Sequence, residues 1–275
     1  MNTPLVSVNL TTYNRAHLLP RALNSILDQT YPELEIIIVD DGSKDNTAEV
    51  VQAYLQKDER INFFRHEKNV GLSQARNTAW RNSHGKYVAF MDDDDEWIDR
   101  QKTLKQVGIL EKYELSPVVL VCSSVRLFSD ANTYRDKIIE RPDNLKSIIL
   151  AGNGIVYTPA VMVVKDVIEK VGGFNPKMPR GIDSDFYRTC IVKYGYDVHF
   201  MPEITTAVHE YGEGRITPIE SRKPILFSLS SHILNLRKYC YYYFKHPYSL
   251  YVRFRSILFL LFKLVTVATR NNTSK

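Results

Sequence analysis

The first hundred residues alternate short apolar runs with stretches of helical periodicity, and this alternation restricts the fold more than any other feature of the chain. The apolar runs are rich in Val, Ile, Leu or Phe and occupy residues 5–10, 34–39, 61–64 and 87–91. Such runs are typical of strands buried on both faces. Between them, apolar residues recur at three- and four-residue spacing, as in Leu19, Ala22, Leu23, Ile26 and Leu27. The pattern predicts an α/β fold, with a mostly parallel sheet and helices on both faces.

Polar and acidic residues follow each of the four predicted strands. The four segments are Thr11-Thr12-Tyr13-Asn14-Arg15, Asp40-Asp41-Gly42-Ser43, residues 66–71 and Asp92-Asp93-Asp94-Asp95. In open α/β sheets, ligands bind at the carboxyl ends of the strands. Any one of these loops can be polar simply because loops are solvated. Four of them at one edge of the sheet indicate a binding site.

The run Asp92 to Asp95 concentrates negative charge at that edge. Two like charges ~4 Å apart repel by about 4 kcal/mol at an effective dielectric constant of 20. A divalent cation relieves such repulsion, and carboxylate oxygens suit Mg²⁺ or Mn²⁺. The alternative is a solvated loop whose last aspartates cap a helix expected around residues 96–106. The position at a strand end favours the metal site.

Several other nucleotide and metal sites are excluded by the sequence. An EF-hand loop that began at Asp92 would need glycine at its sixth position, where Trp97 stands. Neither a P-loop motif nor a G-x-G-x-x-G after a strand is present. A diphosphate bound here would therefore depend on a metal ion and cationic side chains.

Four segments, in this order, resemble the motifs of family 2 glycosyltransferases. They are residues 6–15, 39–47, 69–77 and 90–97, the last of which resembles the metal-binding D-x-D motif. The resemblance extends from about residue 4 to residue 217. It implies a GT-A fold, an inverting mechanism and a nucleoside-diphosphate sugar donor, most often a UDP-sugar.

The resemblance also assigns a set of nucleotide-sugar-binding residues. Tyr13 would stack on the base, Asp41 would accept a hydrogen bond from the ring N–H of uracil or thymine, and Arg76 would lie near the diphosphate. The full set is Thr12, Tyr13, Asn14, Arg15, Asp40, Asp41, Arg76, Asp92 and Asp93. Asp93 is expected to be dispensable, because the family often has Ser or Ala there. Asp40-Asp41-Gly42-Ser43 can equally be a tight turn before the next helix.

The metal ligands expected from the resemblance are Asp94, Asp95 and His209, with Mn²⁺ or Mg²⁺ as the ion. Asp94 matches the second aspartate of D-x-D, and Asp95 is either a second ligand or a helix cap. His209 precedes a glycine-containing stretch that is a candidate lid, although a lone histidine is often structural.

The catalytic base is expected in the segment Arg180-Gly181-Ile182-Asp183-Ser184-Asp185-Phe186, at the place of the family's acidic motif. Inversion needs a carboxylate that removes the proton of the attacking hydroxyl. Ile182 stands where the family usually has Glu, so Asp183 and Asp185 both remain candidates. Either can also be an N-cap.

The last 55 residues differ in composition from the rest of the chain. No Asp or Glu follows Glu220, while ten Lys and Arg residues do, so the first 220 residues carry 26 basic against 31 acidic residues, a net charge of −5. The apolar run 257–262 is too short for a membrane span and is followed by Lys263. We expect a helical tail that lies on an anionic membrane surface. The alternatives are packing on the body or on a second subunit; no nucleic-acid motif accompanies the tail.

These features predict three parts: a nucleotide-sugar-binding half (1–100), an acceptor-binding half (101–220) and a basic, aromatic, helical tail (221–275). No signal-peptide pattern is visible, and three widely spaced cysteines suit reduced thiols. A cytoplasmic protein on the inner face of the membrane is expected, with a glycan or lipid-linked acceptor. A nucleotidyltransferase is disfavoured because the loop after the first strand lacks Gly and Lys. A non-catalytic nucleotide-sugar-binding protein is the other alternative.

Overall fold

A computed structural model describes residues 3–152, 154–211 and 222–273. Its strands form one mixed sheet in the order β3-β2-β1-β4-β8-β6-β9-β5, with β7 paired to β6. The strand bounds are β1 Val6–Thr12, β2 Leu34–Asp40, β3 Ile61–Arg65, β4 Tyr87–Asp92, β5 Glu96–Trp97, β6 Val118–Phe128, β7 Tyr134–Lys137, β8 Val161–Val164 and β9 Asp197–His209.

The helices connect these strands and then form the C-terminal part of the described chain. Their bounds are α1 Leu19–Leu27, α2 Thr47–Leu55, α3 Leu72–Arg81, α4 Lys102–Lys112, α5 Leu145–Ala151, α6 Lys165–Val171, α7 Ile182–Arg188, α8 Arg222–Lys238, α9 Cys240–Lys245 and α10 Pro247–Thr273. A 3₁₀ turn, Thr158–Ala160, precedes β8, and a π-helical turn, Thr189–Lys193, continues α7.

The first four strands confirm the parallel sheet predicted from the apolar runs. Pairs β1–β2, β1–β4 and β2–β3 are parallel, so their carboxyl ends lie at one edge. In β4, Val88 and Phe90 enter the core on one face of the sheet, while Tyr87, Ala89 and Met91 enter the core on the other. This period of two explains why a doubly buried strand is apolar throughout.

One predicted helix boundary is wrong. Residues 96–97 form a strand rather than the start of a helix, because Glu96 pairs with Ala207 and Trp97 with Thr206 of β9. The helix begins only at Lys102. Residues 158–160, directly before β8, form the 3₁₀ turn, where Pro159 has no N–H to donate to a ladder.

The C-terminal helices pack on the body of the protein. Tyr239 and Tyr243 are buried within the same core cluster as Phe90 and Phe186. The Tyr243 hydroxyl donates to the carbonyl of Leu150 at 2.9 Å. Within the described part of the chain, no helix is both long enough and apolar enough to cross a membrane.

Candidate functional site

A cleft of about 610 Å³ opens at the carboxyl ends of β1 and β4. Its volume lies within the range common for small-molecule sites. Ten of the residues predicted from sequence line it: Thr12, Tyr13, Arg15, Asp41, Arg76, Asp92, Asp93, Asp94, Asp95 and Asp183. The edge of the sheet predicted to bind a ligand is therefore concave and carries both acids and arginines.

Arginine side chains offset the charge of the acidic run. Arg15 Nη1 lies 2.8 Å from Asp93 Oδ1 and 3.1 Å from Asp94 Oδ2. Arg21 donates a hydrogen bond to the backbone carbonyl of Asp94. The repulsion between neighbouring carboxylates is thus reduced by the protein itself, before any cation binds.

Asp93 is buried and fully integrated into the site, which argues against the expectation that it is dispensable. Thr12 Oγ1 donates to Asp93 Oδ2 at 2.8 Å, while Arg15 contacts the other oxygen. Burial raises the pKa of Asp93 to about 6, and Arg15 opposes that rise. A residue without a carboxylate here would leave the Thr12 hydroxyl and Arg15 without this partner.

One guanidinium joins the two acidic segments of the cleft. Arg76 lies on α3, only 3% of its side chain is exposed, and its carbon Cζ lies 5.4 Å from the centre of the Phe174 ring. Its Nη2 lies 2.5 Å from Asp92 Oδ1, and its Nη1 contacts Asp183. Arg76 therefore stands between the end of β4 and the start of α7, where anionic groups of a ligand would meet a fixed cation.

Asp41 is held in place by the loop that precedes α3. Its carboxylate accepts hydrogen bonds from the backbone N–H groups of Val70 and Gly71 at 2.9 and 2.8 Å, and His66 Nδ1 lies 2.8 Å away. Gly42 beside it has φ +79°, and a Cβ there would lie 2.7 Å from the backbone of Lys68. The second and third sequence motifs are therefore in direct contact, and the close approach at Gly42 leaves no room for a side chain.

Two predicted nucleotide-binding residues, Asp40 and Asn14, do not line the cleft. Asp40 accepts the backbone N–H of Ser43 at 2.8 Å and lies 3.2 Å from Arg65 Nε. Asn14, at φ 53°, accepts the backbone N–H of Lys44 through its side chain at 2.7 Å. Both side chains stabilise turns that place Tyr13 and Asp41.

The two candidate bases occupy different environments. Asp183 lines the cleft with about a third of its side chain exposed. Asp185 is buried, where its carboxylate contacts Lys238 Nζ at 2.8 Å and the Tyr239 hydroxyl at 3.0 Å. Of the two, only Asp183 lines the cleft.

His209 lies on the opposite side of β9 from the cleft. Its neighbours Val208 and Glu210 line the cleft, as the alternation of a strand requires. The His209 ring stacks on Phe128 and its Nε2 lies 3.0 Å from Glu96, a contact that lowers the pKa of Glu96. We therefore leave His209 out of the set of residues that could hold a metal.

Asp95 links the acidic run to β9. Its Oδ1 accepts the backbone N–H of His209 at 2.9 Å, and its side chain is almost wholly buried. Asp95 is not the predicted helix cap, because the helix begins only at Lys102; its role as a metal ligand stays a prediction.

The acidic run suits a metal ion that arrives with a substrate. No group of three or more His, Cys, Asp or Glu side chains in the described ranges is arranged to hold a metal. Mg²⁺, however, is commonly bound by one or two carboxylates together with substrate phosphates. Asp92 and Asp94 are partly exposed in the cleft, with 28% and 19% of their side chains accessible. Those two carboxylates fit such an ion.

The far wall of the cleft was not predicted. It comprises Val156, Tyr157, Thr158, Pro159, Ser184, Val208 and Glu210. Glu210 directly follows β9, so the strand-end argument used for Asp92 would also have found it. No sequence pattern marks residues 156–159, because the antiparallel strand β8 brings them to the cleft by its amino end.

The family model for "Glycosyl transferase family 2" matches residues 7–171. TuaG of Bacillus subtilis, named as a teichuronic acid biosynthesis glycosyltransferase, is 35% identical over 59% of this chain and 63% of its own length. An uncharacterized glycosyltransferase of Haemophilus influenzae is 23% identical over 93% of this chain and 100% of its own. The match to TuaG thus spans less than two thirds of that relative.

Solved structures show the same fold at low sequence identity. The mannosyltransferase PcManGT from Pyrobaculum calidifontis, in complex with GDP-Man and Mn²⁺, has a TM-score of 0.67 and 19% identity over 98% of this chain and 76% of its own. Staphylococcus aureus TarS 1–349, in complex with UDP-GlcNAc, has a TM-score of 0.67 and 17% identity over 84% of this chain and 66% of its own. The fold is thus of the GT-A type, and since the family model covers more than half of its residues, the chain belongs to glycosyl transferase family 2.

Proposed function

We propose that the protein is an inverting glycosyltransferase that moves a sugar from a UDP-sugar to a hydroxyl of a glycan or lipid-linked acceptor. The observation that carries the proposal is the position of Arg76, in one cleft with Asp92 on one side and Asp183 on the other. A protein that binds the nucleotide sugar without catalysing transfer would not need a carboxylate at the position of Asp183.

The donor would lie along the carboxyl ends of β1 and β4. Tyr13, with 39% of its surface exposed, offers a ring on which a base can stack. Asp41 retains acceptor capacity beyond its bonds to Val70, Gly71 and His66, because a carboxylate has about four lone-pair sites. An imide N–H of uracil suits that acceptor. PcManGT was solved with GDP-Man, so guanine donors belong in the same test.

Arg76 and Arg15 supply the positive charge of the diphosphate site. Bidentate guanidinium donors match phosphate oxygens, and the glycine cradle of a P-loop is missing from this sequence. Mn²⁺ or Mg²⁺ would be held by Asp94 with support from Asp92. When bound, the ion offsets charge on the diphosphate of the donor and of the leaving group.

Asp183 is the proposed base. It lies beside Arg76 and lines the same cleft as Tyr157 and Glu210. A carboxylate in this position can accept the proton of an acceptor hydroxyl as the hydroxyl attacks the anomeric carbon. The wall at residues 156–159 would then contact the acceptor, which agrees with a division into a donor half (1–100), an acceptor half (101–220) and a tail (221–275).

The tail is proposed to contact the cytoplasmic face of an anionic membrane. Along α10, side chains at three- and four-residue spacing are more than half exposed, and together they form the outer face: Tyr248, Tyr251, Phe254, Leu258, Phe262 and Val265. An isolated exposed apolar residue is ordinary, but a continuous stripe indicates an interaction surface. Basic residues flank the stripe and no acid follows Glu220, so an anionic lipid surface is its complement.

A donor screen tests the proposed reaction. Release of UDP or GDP from a panel of nucleotide sugars is measured with and without Mn²⁺ and an oligosaccharide acceptor. We expect turnover with a UDP-sugar that EDTA abolishes. Asp183→Asn should lose transfer while calorimetric binding of UDP is retained, and Asp166→Asn, at an exposed position on α6, serves as the control. Binding of UDP without turnover on any acceptor would favour a scaffold, and release of pyrophosphate from a nucleoside triphosphate would favour a nucleotidyltransferase.

Vesicle flotation tests the membrane contact separately. The protein should float with vesicles of phosphatidylcholine and phosphatidylglycerol, and less with phosphatidylcholine alone or at high salt. The double variant Leu258→Asp, Phe262→Asp should lose this binding, while Leu104→Asp on α4, at another exposed leucine, should keep it. Equal flotation of all three proteins would refute the contact.

A further inference from the structure

A row of polar side chains along α8 faces the segment that contains the proposed base. The row, here called the polar seam, consists of Ser231, Asn235, Lys238 and the following residue Tyr239. Their spacing of four, three and one residues puts them on one side of a helix. Three of them are buried, and the fourth, Lys238, has 30% of its side chain exposed. Buried polar groups on a helix need partners, and all four find them in one neighbour.

Each member of the seam contacts a residue within or next to α7. Ser231 Oγ accepts the backbone N–H of Arg180 at 3.0 Å, before α7 begins. Asn235 Oδ1 accepts from Nη1 of Arg188, the last residue of α7, at 2.5 Å. The seam therefore holds both ends of this seven-residue helix.

The centre of α7 is held through Asp185. Lys238 Nζ donates to Asp185 Oδ2 at 2.8 Å, and the Tyr239 hydroxyl donates to Oδ1 at 3.0 Å. Lys238 and Tyr239 also reach Thr189 Oγ1, at 3.0 and 2.8 Å. A carboxylate that is 1% exposed is costly unless it is paired and hydrogen-bonded, and here both oxygens are satisfied. An apolar side chain at this position would fill the same space without needing hydrogen-bond partners. Because Asp185 does need them, its bonds to Lys238 and Tyr239 fix the orientation of its side chain.

Asp183 lies two residues before Asp185, so the two side chains leave the helix about 200° apart. When Asp185 is directed into the seam, Asp183 is directed into the cleft, where it meets Arg76. A rotation or displacement of α7 would carry Asp183 away from Arg76. The orientation of the proposed base is therefore linked to contacts made by the C-terminal helices.

We propose that Lys238 and Tyr239 are positioning residues for catalysis: through Asp185 they set the rotation of α7 and thereby the place of the base Asp183. This inference rests on the proposed function. It assigns to the C-terminal helical segment a role in the chemistry, in addition to the proposed membrane contact.

Kinetics of Lys238→Met and Tyr239→Phe test the proposal. Each variant should lower kcat for transfer by about 10-fold or more, while KM for the donor and the calorimetric Kd for UDP stay within twofold of wild type. Lys238→Arg should restore most of kcat, because a guanidinium can also pair with Asp185. Arg237→Met removes the same charge from the adjacent, exposed position and should leave kcat unchanged. A fall in donor affinity that parallels the fall in kcat would show a merely structural role and overturn the proposal.

Hydrogen exchange gives a second measurement that does not depend on turnover. Peptides that cover residues 182–188 should exchange faster in Lys238→Met than in wild type or Arg237→Met, while peptides from β1 and β4 remain unchanged. Unaltered exchange in α7 would refute the proposal. Wild-type protein that neither binds UDP nor transfers sugar would refute the proposed function instead, and the exchange result would still decide whether the seam fixes α7.

Discussion

Lys102 allows a quantitative prediction about stability, because its side chain is completely buried. Its Nζ donates to Gln106 Oε1 at 2.8 Å and lies 4.1 Å from the centre of the Trp97 ring. Burial lowers the pKa of Lys102 from 10.5 to about 7, with slight opposition from Cys122 and Asp99. In the unfolded chain this group keeps its ordinary pKa.

The sign and size of the effect follow from that difference. Between pH 7 and pH 10.5 the unfolded state holds the proton and the folded state does not, so the free energy of unfolding rises with pH. Below pH 7 both states are protonated and the dependence disappears. The full difference corresponds to about 5 kcal/mol at about 1.4 kcal/mol per pKa unit. Between pH 7 and pH 9, Lys102 should add about 2 kcal/mol.

The substitution Lys102→Met removes the titrating group and keeps an unbranched side chain against Trp97. The loss of a donor for Gln106 costs about 1–3 kcal/mol, which is less than the burial penalty at low pH. We therefore expect Lys102→Met to be more stable than wild type by about 2 kcal/mol at pH 6, and this advantage to vanish as the pH rises to 9.

Urea unfolding of wild type and Lys102→Met, at intervals of half a pH unit from pH 6 to pH 9.5, gives the difference between their free energies of unfolding. The titration of all other groups cancels in this difference. Lys105→Met, at a partly exposed lysine of the same helix, is the control and should give a curve parallel to that of wild type. Parallel curves for wild type and Lys102→Met would refute the reasoning, because they would show that Lys102 titrates alike in both states.

Two further predictions concern the cleft, and a third concerns the core packing of Trp97. Arg76→Met should lower kcat/KM about 100-fold in initial-rate assays, as the loss of other charge-stabilising donors does. Arg81→Met, at an exposed position at the end of the same helix, should keep the wild-type rate. Equal rates for the two variants would contradict the proposed diphosphate contact. Tyr13→Ala should weaken calorimetric UDP binding by about 1–3 kcal/mol, the usual value of base stacking, and Tyr13→Phe should not; unchanged affinity would remove Tyr13 from the site. Trp97→Ala should lower the free energy of unfolding by about 3–5 kcal/mol, since its buried indole also donates to Pro159; a loss below about 1 kcal/mol would contradict this packing.

The donor side of the protein could be predicted from sequence because local rules determine it. Apolar runs gave the four parallel strands, and residues that follow such strands must meet at one edge. Thr12, Asp41 and Asp92 were found in this way, and the structure places them in one cleft. The segment at 96–97 was missed because a two-residue strand is defined by its partner β9, more than a hundred residues away.

The distinction between functional and structural acids could not be made from the sequence. Asp40 and Asp41 are neighbours, as are Asp94 and Asp95. In each pair we assign a binding role in the proposed site to one side chain only, Asp41 and Asp94, and a structural contact to the other. Asp40 is bonded to Ser43 within a local turn, whereas Asp95 is bonded to His209, which only the packing of distant segments brings near. The same holds for Asp183 and Asp185, whose roles depend on Lys238 of α8.

The burial of Tyr239 and Tyr243 in the main core affects where the chain can be shortened. Composition puts a border near residue 221, and an experimenter who wanted a smaller catalytic fragment would cut there. Such a fragment would expose the apolar surface that these rings cover and would leave Asp185 without Lys238 and Tyr239. The compositional border is therefore not a folding border. A fragment with an intact cleft would therefore have to include α9 and the part of α10 that contacts α5 through Ser249 and Arg253, and a cut beyond Arg253 would still uncover Ile225 and Leu229, which pack on Leu260.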